Sequence, residues 1–408
     1  MKKKFLYIDC QNANASGSGG AGVYTENLIN YLNQNQQALN VSLHLDNLPG
    51  ENNNHLKVTL RGIARDLAQY ILPSKAYEQL ISLYKYLKTR KSQLTQIKLP
   101  KDSNNFESNS SQMIIAHEVT NYSVHPQYAV SKIKSNLKLV ATFLDVQDFF
   151  YPEFFSDTDL LSRRQSYSFF KEYGDHFIAI SEYTKSTMVE ILKIPAEKIS
   201  VVYLGYDVSP PTPDVEFEQK IAEFGRYLIY PAKLWMHKNH QGLFEAMSEC
   251  KHDLRKAKVT LILTGGFKSL ELRKLKAELH RLGIEDLVLP MGFLSHNSLK
   301  LLISKAEFLI FPSLFEGFGM PVIEAMQLGC PVLSSNTSSL PEVCGDAAIL
   351  FDPRNQSEIK DVLLKVARQE IDRKSLIQKG LQHSGRFTWE KCMQQTVKVY
   401  EKLWSSPP

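Results

Sequence analysis

The chain has 408 residues, 43% of them apolar and 22% charged, with a formal net charge of +5. That length exceeds what one hydrophobic core serves, so two domains are expected, and the composition is that of a globular protein rather than a disordered or fibrous one. There is no apolar run of about 18 residues to cross a bilayer. Cys10, Cys250, Cys330, Cys344 and Cys392 are scattered and never spaced C-x-x-C, which argues against a disulfide framework or a zinc site and for a reducing, cytoplasmic compartment.

In chain order, Met1-Lys2-Lys3-Lys4 precedes the apolar run Phe5–Ile8, but Asp9 ends that run too early for a secretory signal, so residues 4–8 read as a first buried strand. A polar loop, 11–18, leads to the glycine cluster Gly19-Gly20-Ala21-Gly22 and a helix expected near Val23. Residues 57–101 carry ten basic side chains against Asp66 and Glu78. Tyr77, Leu80, Ile81, Tyr84 and Leu87 fall on one helical face there, with Lys85, Lys88, Arg90 and Lys91 largely off it. Such a basic amphipathic helix suits an anionic membrane surface, and equally a helix packing its apolar face inward. The stretch has no helix-turn-helix, zinc or base-stacking signature, so nucleic acid is not expected as a partner. A polar low-complexity loop follows at 102–111.

Strand-like runs at 113–116, 139–143 and 177–180 alternate with helical stretches, and the pattern resumes at 228–230, 259–264, 287–289, 308–311 and 332–334. This alternation predicts an α/β protein with parallel sheets covered by helices on both faces. The break falls near Gly205 to Arg226, where Ser209-Pro210-Pro211-Thr212-Pro213-Asp214 is a turn-rich linker with no periodicity. Two Rossmann-like domains are therefore expected, 1–205 and 206–387.

The most informative run is Glu316-Gly317-Phe318-Gly319-Met320-Pro321-Val322-Ile323-Glu324, between an apolar strand and a helix that stops at Gly329. Gly317 and Gly319 permit positive φ and close backbone approach, and Pro321 suits a first helical turn. Free N–H groups and the positive end of a helix dipole at the C-terminal edge of a parallel sheet make a site for a phosphate or for sugar hydroxyls. Glu316 would face the ligand from the loop, and Glu324, about one turn into the helix, could accept hydrogen bonds from a vicinal diol such as a ribose. Lys233 and Lys238, just past the strand at 228–230, are placed to offset a diphosphate's charge. No helix-spaced metal cluster is present. Asp157-Thr158-Asp159, the single D-x-D, reads as a loop or helix start.

The segment from Phe311-Pro312-Ser313 to Asp352-Pro353, with Glu316-x7-Glu324, Pro331-Val332 and Leu340-Pro341-Glu342-Val343, closely resembles the signature of the retaining glycosyltransferases of family 4, which have the GT-B fold of two Rossmann-like domains facing across a cleft. Further segments of that pattern run in order along nearly the whole chain, among them Gly19–Tyr24, Tyr151-Pro152-Glu153, Ile178–Glu182, Lys198–Tyr203, Lys238-Asn239 and Gly292-Phe293-Leu294. The resemblance implies transfer of a sugar from a UDP- or GDP-sugar, without a cofactor, to a saccharide or lipid-linked hydroxyl acceptor in cell-surface polysaccharide or glycolipid synthesis. It implies catalytic roles for Glu316, Lys238 and His117, the last beside the reacting sugar. It also implies donor contacts from Gly20, Lys233, Lys238, Gly317, Phe318, Gly319, Met320, Pro321, Val322 and Glu324, and from Leu294 at the nucleobase. A C-terminal helix over 388–408 is expected to brace the N-terminal domain.

Two departures stand out. Lys233 replaces the usual arginine, keeping the charge and losing the bidentate fork, and Leu144 stands where many relatives carry histidine. Leu144 leaves room for a non-catalytic, donor-binding partner of an active homologue. A GT-B epimerase or a phosphorylase shares the architecture, but Glu316-x7-Glu324 with its glycine loop favours transfer.

Overall fold

The computed structural model describes residues 3–9, 20–46, 112–122, 137–207 and 209–405. The basic stretch 57–101, the loops 11–18 and 102–111, and Cys10 lie outside the described residues.

Among the described residues, two six-stranded parallel sheets organise the chain. The first has the order β2-β1-β3-β4-β5-β6, from β1 (Lys3–Asp9), β2 (Val41–Asp46), β3 (Gln112–Glu118), β4 (Lys138–Phe143), β5 (His176–Ala179) and β6 (Ile199–Val201). The second has the order β12-β11-β10-β7-β8-β9, from β7 (Arg226–Pro231), β8 (Val259–Thr264), β9 (Val288–Gly292), β10 (Phe308–Phe311), β11 (Val332–Ser335) and β12 (Ala348–Phe351). Strands covered by helices on both faces carry unbroken apolar runs. Leu261, Ile262, Leu263, Leu309, Ile310 and Phe311 are fully buried, each side chain contributing roughly 1.5–3 kcal/mol.

Each order reverses once, between β1 and β3 and between β7 and β10, and open α/β sheets bind ligands outside the C-terminal ends of the strands at such a reversal. The β7 and β10 loops are those that carry Lys233, Lys238 and Glu316–Gly319. At the opposite end of these strands Arg226 grips Glu307 with two bonds of 2.8 and 2.9 Å, tying the starts of β7 and β10 together.

Three strands escaped the sequence reading: β2 and β6 at one sheet's edges and β12 at the other's, which are short or alternate with polar residues. The first helix spans Gly20–Leu39, so it begins at the glycine cluster itself rather than near Val23. Asp157-Thr158-Asp159 forms the first turn of the Asp157–Tyr173 helix, whose N-cap Ser156 accepts from Asp159 N–H.

The C-terminal helix, Trp389–Ser405, lies against the first half. Tyr24 Oη lies 3.4 Å from Thr396 Oγ1, and Lys4 sits over the Trp404 ring. The chain crosses back at Gly205, where a Cβ would lie 2.2 Å from the Trp389 backbone nitrogen, so no larger residue fits that crossing.

Candidate active site

After β10 the backbone turns through Pro312–Glu316, and the β11 segment holds it in shape. Ser335 Oγ and Thr337 Oγ1 donate to the Ser313 carbonyl, Ser338 Oγ accepts from Glu316 N–H, and Ser339 Oγ donates to the carbonyls of Glu316 and Phe318. These hydroxyls satisfy backbone groups that a non-repetitive buried loop would otherwise leave unpaired. Sequence reasoning missed them. Their one signal is the run Ser334–Ser339, rich in Ser and Thr after a strand.

Of the two glycines only Gly319 is left-handed, with φ +102°, and it caps the Met320–Gln327 helix, whose first turn contains Pro321. Gly317 is needed for a different reason: a Cβ there would stand 1.9 Å from the Leu144 carbonyl oxygen, across the boundary between the halves. Phe318 and Val322 turn their side chains into the core, so what they can offer a ligand is backbone.

Lys238 ends a short 3₁₀ turn, Met236–Lys238, and the following Asn239 is left-handed. Its Nζ lies 2.5 Å from Glu316 Oε1, with the two side chains only 13% and 12% exposed. Tyr230 donates to the Lys238 carbonyl, and Leu314 N–H to that of His237, locking the β7 and β10 loops together. Burial pushes the His237 imidazole down to about 4, so it is neutral beside this pair. Lys233 is half-buried, its ammonium 5.0 Å from the centre of the Trp235 ring.

Glu324 is half-buried, and its carboxylate makes no hydrogen bond among the described residues. Burial pushes it up to about 7, with Lys300 pulling the other way. A carboxylate held this way gains most from a ligand that donates hydrogen bonds to it. At the β9 loop Leu294 packs partly against the core, and Phe293 is the exposed side chain, at 84%. Trp235 is also open, at 53%, so these two aromatic rings, neither singled out from sequence as a contact, border the same sheet edge.

His117 is not where the resemblance put it. The ring is fully buried, Nδ1 2.6 Å from Tyr400 Oη and Nε2 2.8 Å from Thr142 Oγ1, and burial pushes it down to about 3. Both ring nitrogens are engaged, so this histidine fastens the C-terminal helix to β3 and β4 rather than facing a sugar. Leu144 is buried in the main core cluster, while its neighbour Asp145 stays partly exposed. Among the described residues no group of three or more His, Cys, Asp or Glu could hold a metal ion.

The halves meet closely at this edge. The Glu342 carboxylate accepts the backbone N–H groups of Glu182 and Tyr183 and the Tyr203 hydroxyl. Arg354 donates to Tyr151 Oη, and Phe315 packs on Phe150 at 5.2 Å and Tyr183 at 5.8 Å.

Residues 212–383 match the family described as "Glycosyl transferases group 1". The chain is 29% identical over 272 residues to the Escherichia coli "O-antigen chain mannosyltransferase B", covering 65% of this chain and 71% of that one. It is 27% identical over 242 residues to the Escherichia coli "Serotype-specific mannosyltransferase WbdA", a match spanning 58% of this chain but only 30% of that protein's length. Among solved structures, Anabaena Alr3699/HepE in complex with UDP-glucose superposes with a TM-score of 0.64 at 17% identity, covering 98% of this chain and 99% of that one. That likeness shows the GT-B fold.

Proposed function

We propose, from the match of residues 212–383 to the glycosyl transferases group 1 and from the mannosyltransferase relatives, that this glycosyltransferase moves a mannosyl unit from a nucleoside diphosphate to a hydroxyl of a growing saccharide, with retention of anomeric configuration and without a divalent metal. The mannosyl assignment follows the names of the relatives, and nucleotide-sugar binding is supported by the UDP-glucose held by a structural neighbour. The observation that carries the reading is the meeting of Lys238 and Glu316 at 2.5 Å, beside the N-terminus of the Met320–Gln327 helix and against the loop of the other half.

As the bond between the anomeric carbon and the phosphate breaks, negative charge grows on the departing diphosphate. Lys238, Lys233 and the helix dipole stand to offset it. Glu316 would hold the sugar through its hydroxyls, and Glu324 the ribose. The diphosphate then takes the acceptor's proton on the face it leaves, so no covalent enzyme intermediate is required. Contact between the halves excludes water and holds donor and acceptor together, which supplies the effective-concentration gain.

Product stereochemistry tests the finer claims. With chelator present, the anomeric signals of product and donor in NMR are expected to show the same configuration. Inverted product, or activity lost with chelator and restored by Mg²⁺ or Mn²⁺, contradicts retention or metal independence respectively.

The basic stretch 57–101 supports cytoplasmic placement with a peripheral contact on anionic membrane, where a lipid-linked acceptor would lie. Charge reversal at Lys85, Lys88 and Arg90 is expected to release the protein from anionic vesicles. Undiminished sedimentation with them refutes the contact.

A further inference from the structure

The residue that replaces the family's histidine, Leu144, contributes nothing polar to the cleft, because its side chain lies in the core. The chemistry at the C-terminal edge of β4 falls to the next residue. Asp145 Oδ2 accepts from Tyr122 Oη at 2.9 Å and Oδ1 from Gln147 N–H at 3.1 Å, with Arg163 3.6 Å from Oδ1. Its backbone is fixed by Asn121, which accepts from Leu144 N–H and donates to the Asp145 carbonyl.

The brace is itself braced. Arg163 lies over the Tyr122 ring at 3.9 Å and the Phe155 ring at 4.5 Å, and is shared with the fully buried Asp148, 3.7 Å away. Tyr167 donates to Asp148 Oδ1, the oxygen that Arg163 approaches, and Arg164 lies 3.4 Å from Asp148 Oδ2. Three features set Asp145 apart from an ordinary core ion pair. Its side chain is 18% exposed where that of Asp148 is closed off. It stands beside the donor loop, Asp145 Cβ lying 3.3 Å from where a Cβ on Gly317 would be. Finally, each carboxylate oxygen can accept more than the one clear hydrogen bond it has here.

We propose that Asp145, held in one orientation by Tyr122 and Arg163, is the acceptor-binding carboxylate: it accepts a hydrogen bond from a hydroxyl of the acceptor sugar and seats that sugar against the donor loop at Gly317. A carboxylate oxygen recognises a donating hydroxyl, and that is the group a sugar acceptor offers. Burial raises the Asp145 carboxyl above its ordinary value, and Arg163, the Gln147 N–H and the Tyr122 hydroxyl oppose that rise.

The inference rests on the proposed transfer, and the test separates the two. Full-length wild type, Asp145→Ala, Asp145→Asn and Tyr122→Phe are assayed with mannose-terminated oligosaccharide and GDP- or UDP-mannose, following both transfer and acceptor-independent hydrolysis of the donor. Asp145→Ala is expected to lower kcat/KM for the acceptor at least about tenfold, as loss of a hydrogen bond to a charged group does. Donor KM and hydrolysis stay within about twofold. Asparagine, which keeps a carbonyl acceptor and the shape of the site, recovers part of the loss, and Tyr122→Phe falls between.

An acceptor kcat/KM within about twofold of wild type, or hydrolysis falling in parallel with transfer in both Asp145 variants, overturns the assignment while leaving the function standing. A wild type that neither transfers nor hydrolyses either donor overturns the function, and the assignment with it.

Discussion

Glu324, proposed above to hold the ribose, carries a stability cost that depends on pH. Its carboxyl is shifted from the ordinary 4.5 up to about 7 by burial, so the folded state holds a proton that the unfolded state has lost between those pH values. Glu324 therefore costs nothing below about pH 4.5, progressively more as pH rises toward 7, and a constant amount above. That amount is on the order of 1–3 kcal/mol, reduced by the partial solvent access of a half-buried group. Glu324→Gln is expected to melt above wild type at pH 8 and level with it near pH 4.5, and to lose nucleotide-sugar binding. A melting difference that is the same at both pH values would remove burial of charge as the cause. In the wild type, donor binding should weaken as pH falls below 7, because the protonated acid accepts hydrogen bonds less well.

Other single residues show where reading from sequence stops. The left-handed turn at Gly319 and the helix start at Pro321 were legible, because backbone permissiveness is a property of the residue itself. His117 misled, because what decides its role is Tyr400, 283 positions away on the returning helix. No local pattern encodes that encounter. Asp145 carries no local signal of its own, and its closeness to Gly317 depends on how the two halves of the chain meet.

Among the elements, the Leu340–Cys344 helix does more than its five residues suggest. Glu342, in its first turn, lies over the N-terminus of the Glu182–Glu190 helix in the other half and satisfies two of the N–H groups that every helix leaves open there. It thus acts as a charged cap across the boundary. Glu342→Ala is expected to lower the melting temperature by a few degrees, from a loss of about 1.5–3 kcal/mol, and to make the protein more open in solution scattering. Unchanged melting and an unchanged scattering profile would show that the cap does not hold the halves. The Ser335–Ser339 props belong to the same scale. A hydroxyl's reach to a carbonyl 23 residues earlier, as from Ser339 to Glu316, leaves no trace in residue spacing, and for that reason the sequence reading passed over them.

At the scale of the whole molecule, strand alternation made the two parallel sheets legible, since doubly covered strands must be continuous apolar runs. The edge strands β2, β6 and β12 were not, because an edge tolerates polar residues and short length. The order reversals explain why the chemistry gathers where it does. The reversal of the second sheet presents Lys238 and Glu316, while the β4 loop of the first brings Asp145 to the same boundary. Between them lies the place where donor and acceptor would meet, closed behind by the chain crossing at Gly205 and the helix fastened through His117.

The central claim is that Glu316 and Lys238 act on an activated sugar at this boundary. It is tested most directly by acceptor-dependent release of nucleoside diphosphate from GDP- and UDP-mannose, comparing wild type with Glu316→Gln and Lys238→Ala at equal folded fraction. Turnover by the wild type with one of the two donors is expected, with a loss of roughly 10²–10³-fold in each variant. Turnover in both variants within about threefold of wild type would contradict it.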